Sequence, residues 1–226
     1  MATELTLIRH GNAIPIRGDY LHAPLTALGC RQAEMTGHFM ATEPPLDGFY
    51  CSPLHRAHET ADIIGQQINR TPTVREGIQE VERGEVALLA VAELFAVLKP
   101  VERYLYQSAG QPMRWPIQGR VSRTMSVIIN AHPDQRAAVV VHAGVISSVL
   151  AWMFPGQRFK WWRTTVDNCS LTRLLITDGK CTLVGANMIS HLTPIETTAQ
   201  APAPAVEATR AVMEAIKPIA EDKPAP

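Results

Sequence analysis

Short apolar runs alternate along the chain with longer amphipathic stretches, and this alternation predicts the order of its elements. The runs have the length of buried strands, and the stretches between them repeat apolar residues at helical spacing. The predicted strands cover residues 5–8, 48–51, 73–74 and 137–141. The predicted helices cover residues 26–40, 52–68, 85–99, 120–131 and 143–154, with Thr26 and Ser52 as N-caps of the first two.

Two further apolar runs near the end of the pattern indicate a hairpin. Residues 169–176 and 181–186 flank the sequence Thr-Asp-Gly-Lys, and Asp-Gly suits a tight turn between antiparallel strands. Strands that alternate with helices predict a mostly parallel sheet with helices on both faces. We therefore expect an α/β fold, a three-layer α/β/α sandwich with an antiparallel edge strand and a small helical cap.

The composition divides the chain into one domain and a tail. Residues 1–195 are expected to form the α/β domain, with an insertion at about 85–119 as its cap. Residues 196–226 are rich in Ala and Pro, which predicts a flexible tail. Trp161 and Trp162 leave two interpretations open, core packing or a homodimer interface.

Bulk properties exclude several function classes. The 226 residues are 46% hydrophobic and carry 21 basic and 21 acidic side chains, so neither nucleic acid nor a membrane surface is an expected partner. No apolar run reaches the roughly 18 residues of a membrane span, and no signal peptide is apparent. The four cysteines lack C-x-x-C spacing, which favours free thiols and a cytoplasmic location.

Two predicted strands end in a histidine that is followed by small residues. His10 precedes Gly11, and His142 precedes Ala143 and Gly144. Ligands of open α/β sheets bind beyond the carboxyl ends of the strands, so both imidazoles are candidates for one pocket. Arg9 adjoins His10, and Arg56 lies in the first turn of the helix predicted after the second strand. Guanidinium groups bind phosphate in a bidentate manner. These residues predict a phosphate site.

Other chemistries fit the spacing less well. A cysteine phosphatase needs five residues between its Cys and Arg, whereas four separate Cys51 from Arg56, and Cys51 falls inside a predicted strand. His55 and His58 have helical spacing but lack a third ligand at the usual distance. We therefore expect no metal.

An ordered set of short motifs extends these observations over residues 5–187. The set comprises Leu-Ile-Arg-His-Gly at 7–11, Pro-Leu-Thr at 24–26 with Gly29, Gln32 and Ala33, Ser-Pro-Leu-His-Arg-Ala at 52–57 with Thr60 and Ala61, Glu80 with Gly84, Val-His-Ala-Gly-Val at 141–145, and Asn-Cys-Ser at 168–170. In this order and approximate spacing the chain resembles the histidine phosphatase superfamily, in its phosphoglycerate-mutase-like branch.

The resemblance implies a role for each site residue. His10 would attack phosphorus, Glu80 would protonate the leaving oxygen and later activate water, and the phosphoryl oxygens would be held by Arg9, Arg56, His142 and the backbone N–H of Ala143. Glu76, Glu82 and Glu85 remain alternatives to Glu80 as the proton donor.

Four departures from the family pattern affect the pocket and the cap. Ile16 stands where an asparagine is common, and Asn12 is the candidate to take over part of that role in phosphate binding. Residues 85–87 replace a common Trp-Glu-Gly, Ala143 replaces a glycine, and no Gly-Glu-Ser occurs around Gly119.

The function that this resemblance implies is hydrolysis of a phosphomonoester, on a small molecule or a phosphoprotein, without a cofactor. A phosphoglycerate-type mutase is the first alternative, although region 85–119 has only Arg103 and Arg114 as arginines. A non-catalytic domain that binds a phosphorylated ligand is the second.

Overall fold

Six strands form one sheet in the computed structural model, which describes residues 2–15, 19, 22–80, 115–157 and 165–192. The strands are β1 (Thr3–Arg9), β2 (Gly48–Cys51), β3 (Thr73–Val74), β4 (Arg136–Val141), β5 (Leu171–Thr177) and β6 (Lys180–Met188). Their order in the sheet is β3-β2-β4-β1-β5-β6. The pairs β3-β2, β2-β4 and β4-β1 are parallel. Strand β5 pairs antiparallel with β1, and β6 pairs antiparallel with β5.

The antiparallel edge is the predicted hairpin. Asp178 and Gly179 join β5 to β6 with φ values of 49° and 73°. Positive φ at both central residues is what a type I′ turn requires, and this turn matches the twist of the strands. The mostly parallel sheet with an antiparallel edge is thereby confirmed.

Four α-helices cover the sheet in the part of the chain described. They are α1 (Ala27–Ala41), α2 (His55–Ile68), α3 (Trp115–Asn130) and α4 (Ala143–Met153), and a 3₁₀ turn follows at Pro155–Gln157. Successive strand residues point to opposite faces. Ile8 and Val140 therefore pack with residues of α1 and α2, while Leu7 and Val139 pack with residues of α3 and α4. The predicted α/β/α layering is confirmed.

The start of α1 packs directly on the backbone that follows β1. Thr26 caps the helix by accepting a hydrogen bond from the N–H of Gly29, as predicted. A Cβ on Gly29 would lie 2.1 Å from the carbonyl oxygen of Asn12, and a Cβ on Gly11 would lie 2.6 Å from the carbonyl oxygen of Gly29. Only glycine permits this approach, which fixes residues 11–12 against α1.

Two predicted helix starts are wrong. Ser52 is not the N-cap of α2: the helix begins at His55, Leu54 is extended with ψ of 132°, and the Ser52 hydroxyl is used elsewhere. Helix α3 begins at Trp115, five residues before the predicted start, so the last residues of the insertion expected at about 85–119 are helical. The described residues do not include the remainder of the predicted cap, the helix at 85–99, Trp161 and Trp162, or the tail at 196–226.

Within the described ranges, no helix is both long and apolar enough to cross a membrane.

Glycine-to-alanine substitutions at two helix positions should have opposite effects on stability. Gly29→Ala should lower the free energy of unfolding by about 1–3 kcal/mol, because its Cβ overlaps the Asn12 carbonyl. Gly119→Ala is the matched control: a Cβ there meets no described atom within 4 Å, so alanine should stabilise α3 by up to about 1 kcal/mol. Urea unfolding measures both values. A Gly29→Ala protein as stable as the wild type would contradict the close approach.

Candidate active site

The two strand-end histidines lie side by side at the carboxyl edge of the sheet. Strands β1 and β4 are adjacent and parallel, with Arg9 opposite Val141, and the N–H of His10 donates to the carbonyl of Val141. The ring centroids of His10 and His142 are 5.1 Å apart, and both side chains are buried. The structure thus brings together the pair that the sequence predicts.

Hydrogen bonds at both ring nitrogens fix the tautomer of His10. Its Nδ1 lies 2.7 Å from the carbonyl oxygen of Gly11, which can only accept, so Nδ1 carries the hydrogen. Its Nε2 lies 3.1 Å from Nε of Arg56, which can only donate. Both contacts require the neutral form with the lone pair on Nε2. Nε2 is therefore the ring nitrogen that could act as a nucleophile.

The backbone around His10 is held by polar side chains from two other elements. The carbonyl oxygen of His10 accepts from Nδ2 of Asn168 at 2.8 Å. The N–H of Gly11 donates to Oγ1 of Thr60 on α2 at 3.0 Å. These bonds satisfy buried backbone groups beyond the end of β1 and keep the imidazole in place.

Arg9 is buried beside the histidine pair. One terminal nitrogen donates to the carbonyl of Val166 at 2.5 Å, and its Nε has no hydrogen-bond partner in the described part of the chain. Burial lowers the pKa of Arg9, while the negative charges of Glu80 and Asp167 oppose that effect. An unpaired buried guanidinium N–H is suited to an anionic oxygen supplied by a ligand.

Arg56 lies in the first turn of α2, as predicted, and reaches Nε2 of His10. Burial also lowers the pKa of this arginine, and Glu80 again acts in the opposite direction. Two guanidinium groups thus converge on the imidazole from β1 and from α2.

His142 is oriented by the serine that the sequence assigned to a helix cap. Its Nε2 lies 2.8 Å from Oγ of Ser52, and that hydroxyl also accepts from the N–H of Leu54 at 3.3 Å. The Ser52 proton is therefore free to bond Nε2, which leaves the hydrogen on Nδ1 of His142. This buried Nδ1 has no partner among the described residues, so it is a donor available to a phosphoryl oxygen.

Glu80 reaches the site from the loop that follows β3. Its Oε2 accepts from the backbone N–H of Gly144 at 2.9 Å, in the first turn of α4. The N-terminus of a helix favours a carboxylate because the first-turn N–H groups lack acceptors within the helix. Of the four glutamates considered, Glu82 and Glu85 lie outside the described residues, and Glu76 is exposed.

Asn12 and Ala143 lie beside the site in different settings. Oδ1 of Asn12 accepts from the Thr26 hydroxyl at 2.7 Å, and its backbone N–H donates to Gln32, so the side chain helps to hold the α1 cap. Its Nδ2 is the group that remains suited to an anion. Ala143 is the first residue of α4, where a backbone N–H has no acceptor within the helix.

Burial and positive charge keep both imidazoles neutral. The pKa of His10 is well below its usual value because of burial, with further lowering by Arg9 and Arg56. The pKa of His142 is also well below its usual value, again chiefly through burial and then through His10 and the arginines. Cys51 is inert by comparison, since burial raises the pKa of its thiol to about 12.

Sequence reasoning missed the residues that support this set. Ser52, Thr60, Asn168 and Gly144 contact it directly, and Asp167 acts through its charge. All three side chains that contact the site belong to the quoted motifs: Ser52 was predicted as a helix cap, and Thr60 and Asn168 had no role assigned. Their signal is a polar residue beside a buried strand end. Among the described residues, no three His, Cys, Asp or Glu side chains form a group that could hold a metal ion.

Comparison with known proteins gives a consistent assignment. Residues 5–189 match the model of the histidine phosphatase superfamily (branch 1). The chain is 24% identical over 201 residues to putative phosphoserine phosphatase 2 of Hydrogenobacter thermophilus, covering 83% of this chain and 97% of that protein. It is 26% identical over 203 residues to phosphoglycerate mutase-like protein 4 of Arabidopsis thaliana, covering 84% and 86%.

Solved structures share the fold. A phosphoserine phosphatase from Entamoeba histolytica in complex with 3-phosphoglyceric acid superposes with a TM-score of 0.67 at 22% identity, covering 84% of this chain and all of that one. A phosphoglycerate mutase from Bacillus anthracis also gives 0.67, at 20% identity, covering 84% and 95%. Likeness at this level of identity concerns the fold alone.

The low pKa values of the histidines predict acid sensitivity. A histidine that stays neutral in the folded protein takes up a proton on unfolding below about pH 6.5, so stability is lost as the pH falls through that value. Between pH 7 and pH 5, His10 and His142 should each remove on the order of 2 kcal/mol from the free energy of unfolding.

Urea unfolding at both pH values measures this loss. His10→Gln should reduce the difference in the free energy of unfolding between pH 7 and pH 5 by about 2 kcal/mol. His38→Gln, at an exposed histidine of α1, should leave this difference unchanged. A His10→Gln protein with the full pH dependence would show that His10 is not held neutral.

Proposed function

The chain belongs to the histidine phosphatase superfamily, branch 1, and from this premise we propose that it hydrolyses a phosphomonoester through a phosphohistidine formed on Nε2 of His10. The observation that carries the proposal is the tautomer of His10. A neutral imidazole with its lone pair on Nε2, its hydrogen held by Gly11 and two arginines nearby is an activated nucleophile.

Phosphate binding rearranges one contact of the site. Nε of Arg56 bonds the lone pair of His10 Nε2, so this guanidinium must shift its bond to a phosphoryl oxygen before Nε2 can attack. Arg9 Nε and His142 Nδ1 are buried donors ready for the other oxygens, and the Ala143 N–H and the Asn12 amide complete the set. These groups stabilise the charge that spreads over the oxygens in the transition state.

Glu80 serves as the acid and then as the base. As Nε2 of His10 forms a bond to phosphorus, the bond from phosphorus to the ester oxygen breaks, and the Glu80 carboxyl gives its proton to that oxygen. Water then gives a proton to the Glu80 carboxylate as it attacks phosphorus, the N–P bond breaks, and inorganic phosphate leaves. Neither step requires a cofactor.

The names of the relatives support a substrate class. Two of them are called phosphoserine phosphatases, and a third is an adenosylcobalamin/alpha-ribazole phosphatase of Salmonella typhimurium. A small phosphorylated metabolite is therefore the proposed substrate, with a phosphoprotein second. All four cysteines are free thiols, which supports the cytoplasm as the compartment.

Mutase activity is the second candidate function, because some relatives and solved structures carry that name. It uses the same phosphohistidine but returns the phosphoryl group to a second hydroxyl of the substrate. Incubation with 3-phosphoglycerate distinguishes the two functions: free phosphate indicates hydrolysis, and an isomerised phosphoglycerate without free phosphate indicates the mutase.

Removing the nucleophile should abolish turnover. Wild-type protein should release phosphate from p-nitrophenyl phosphate and from members of a phosphometabolite panel that includes phosphoserine, and His10→Ala should release none above background. His38→Ala is the matched control and should retain wild-type turnover. Turnover by His10→Ala would refute the phosphohistidine, and phosphate binding without turnover by the wild type would favour a binding domain.

Removing the acid should matter most for poor leaving groups. Glu80→Gln should lower kcat/KM for an alkyl phosphate by about 100-fold or more, and for p-nitrophenyl phosphate by less than about 10-fold, because the nitrophenolate leaves without a proton. Inorganic phosphate should still bind and inhibit. Glu34→Gln, at an exposed glutamate of α1, is the control and should behave as wild type. The same loss in Glu82→Gln, and not in Glu80→Gln, would identify a different acid.

A further inference from the structure

The loop that carries Glu80 is fixed to α3 by one arginine. Nη1 of Arg120 donates to Oε1 of Gln79 at 2.6 Å, and Nη2 of the same guanidinium donates to the backbone carbonyl of Gln79 at 2.8 Å. The fork therefore holds both the side chain and the main chain of the residue that directly precedes Glu80. Both acceptors are neutral oxygens, but hydrogen bonds from a guanidinium are charge-assisted and therefore strong. At these short distances they restrict the position of the loop.

Other contacts of the loop reinforce this hold. Oε1 of Gln79 also accepts from the N–H of Gly77, which adopts a φ of 91° that favours glycine. Ile78 is fully buried in the core beneath α3 and α4. The Thr124 hydroxyl, one turn after Arg120, donates to the carbonyl of Glu76 at 3.2 Å. The backbone that leads to Glu80 is thus attached to α3 at more than one point.

The carboxylate end of Glu80 has its own fixed position. Oε2 accepts from the N–H of Gly144, and a Cβ added to Gly144 would lie 2.3 Å from Oε1. Only a residue without a side chain lets the carboxylate reach this N–H group. Glu80 is therefore held at two places, at its backbone by Arg120 through Gln79, and at its carboxylate by Gly144.

We propose that Arg120 is a positioning residue for the proton donor, and that its fork to Gln79 sets where the Glu80 carboxylate lies relative to the scissile bond. The inference rests on the proposed function of Glu80. Arg120 acts through geometry and not through its charge alone, so lysine cannot replace it: a single ammonium group does not reproduce the planar fork that spans the two Gln79 oxygens.

Leaving-group dependence separates positioning of the acid from a general loss of structure. Phenyl phosphate and p-nitrophenyl phosphate have similar shapes, but phenol is a much poorer leaving group and needs the proton. Arg120→Gln and Arg120→Lys should each lower kcat/KM for phenyl phosphate by about 10- to 100-fold, and for p-nitrophenyl phosphate by less than about threefold. Arg123→Gln, at an exposed arginine of the same helix, should stay within about twofold of wild type for both.

A double-mutant cycle tests whether Arg120 acts through Glu80. If it does, Arg120→Gln in a Glu80→Gln background should cause no further loss with phenyl phosphate, because the acid is already absent. Additive losses would overturn the inference, as would an Arg120→Lys protein with wild-type kcat/KM for phenyl phosphate, which would show that the charge alone suffices. Gly144→Ala is a second variant, and it should give the same leaving-group signature by displacing the carboxylate.

An amide resonance gives a readout that does not depend on turnover. In phosphate-free protein the Gly144 N–H bonds the Glu80 carboxylate, so its ¹H shift should move upfield in Glu80→Gln. Arg120→Gln and Arg120→Lys should move it in the same direction, and Arg123→Gln should leave it in place. An unmoved Gly144 resonance in both Arg120 variants would overturn the inference. Turnover retained by His10→Ala, or absent from the wild type, would instead count against the proposed function, and the Gly144 resonance would still decide the role of Arg120.

Discussion

The parallel pairing of β1 with β4 is the constraint on which the site depends. This register places Arg9 opposite Val141, so the next residue of each strand is one of the two histidines. The alternation of side chains along the strands buries Leu7 and Val139 against one helical layer and Ile8 against the other. A shift of one residue in this pairing would turn the side chains of one strand to the opposite face of the sheet. Its apolar side chains would then no longer meet the helices against which they pack. Burial of apolar side chains thus fixes the 5.1 Å spacing of the histidine rings.

Buried positive charge is the second feature that organises the site. Two guanidinium groups lie within reach of two imidazoles, and together they lower the pKa of both histidines. Taking a cation out of water is costly unless an opposite charge is near. Glu80 and Asp167 supply that charge, and Asp167 is in turn held by hydrogen bonds in both directions with Asn187 of β6. The fold thereby keeps the arginines in place while it leaves donors that an anionic oxygen can satisfy.

The sequence was most informative where local pattern determines structure. Strand β2 and the end of α2 fall where the apolar pattern predicts them. The strand ends identified both histidines and Arg9, and the helix start after β2 identified Arg56. Ser52 was misassigned because a serine before a proline can cap a helix or bond another side chain. Only the position of the distant His142 decides between these two uses. The contact of Glu80 with Gly144 and that of Gln79 with Arg120 span 64 and 41 residues. No periodicity along the chain encodes such pairs, so they required the three-dimensional structure.

The proposed nucleophile and the proposed acid are carried by different parts of the fold, yet one core relates them. His10 is positioned by the sheet, whereas Glu80 is held between α3 and α4. Val121 of α3 and Val145 of α4 belong to the same buried cluster as Leu7 of β1. Since protein interiors are close-packed, this cluster fixes the two helices relative to the sheet, and so fixes the loop that carries Glu80. The departures from the family pattern at residues 85–87 and around Gly119 do not include any residue of the connection from Arg120 through Gln79 to Glu80. The core therefore sets the geometry of the proposed proton transfer.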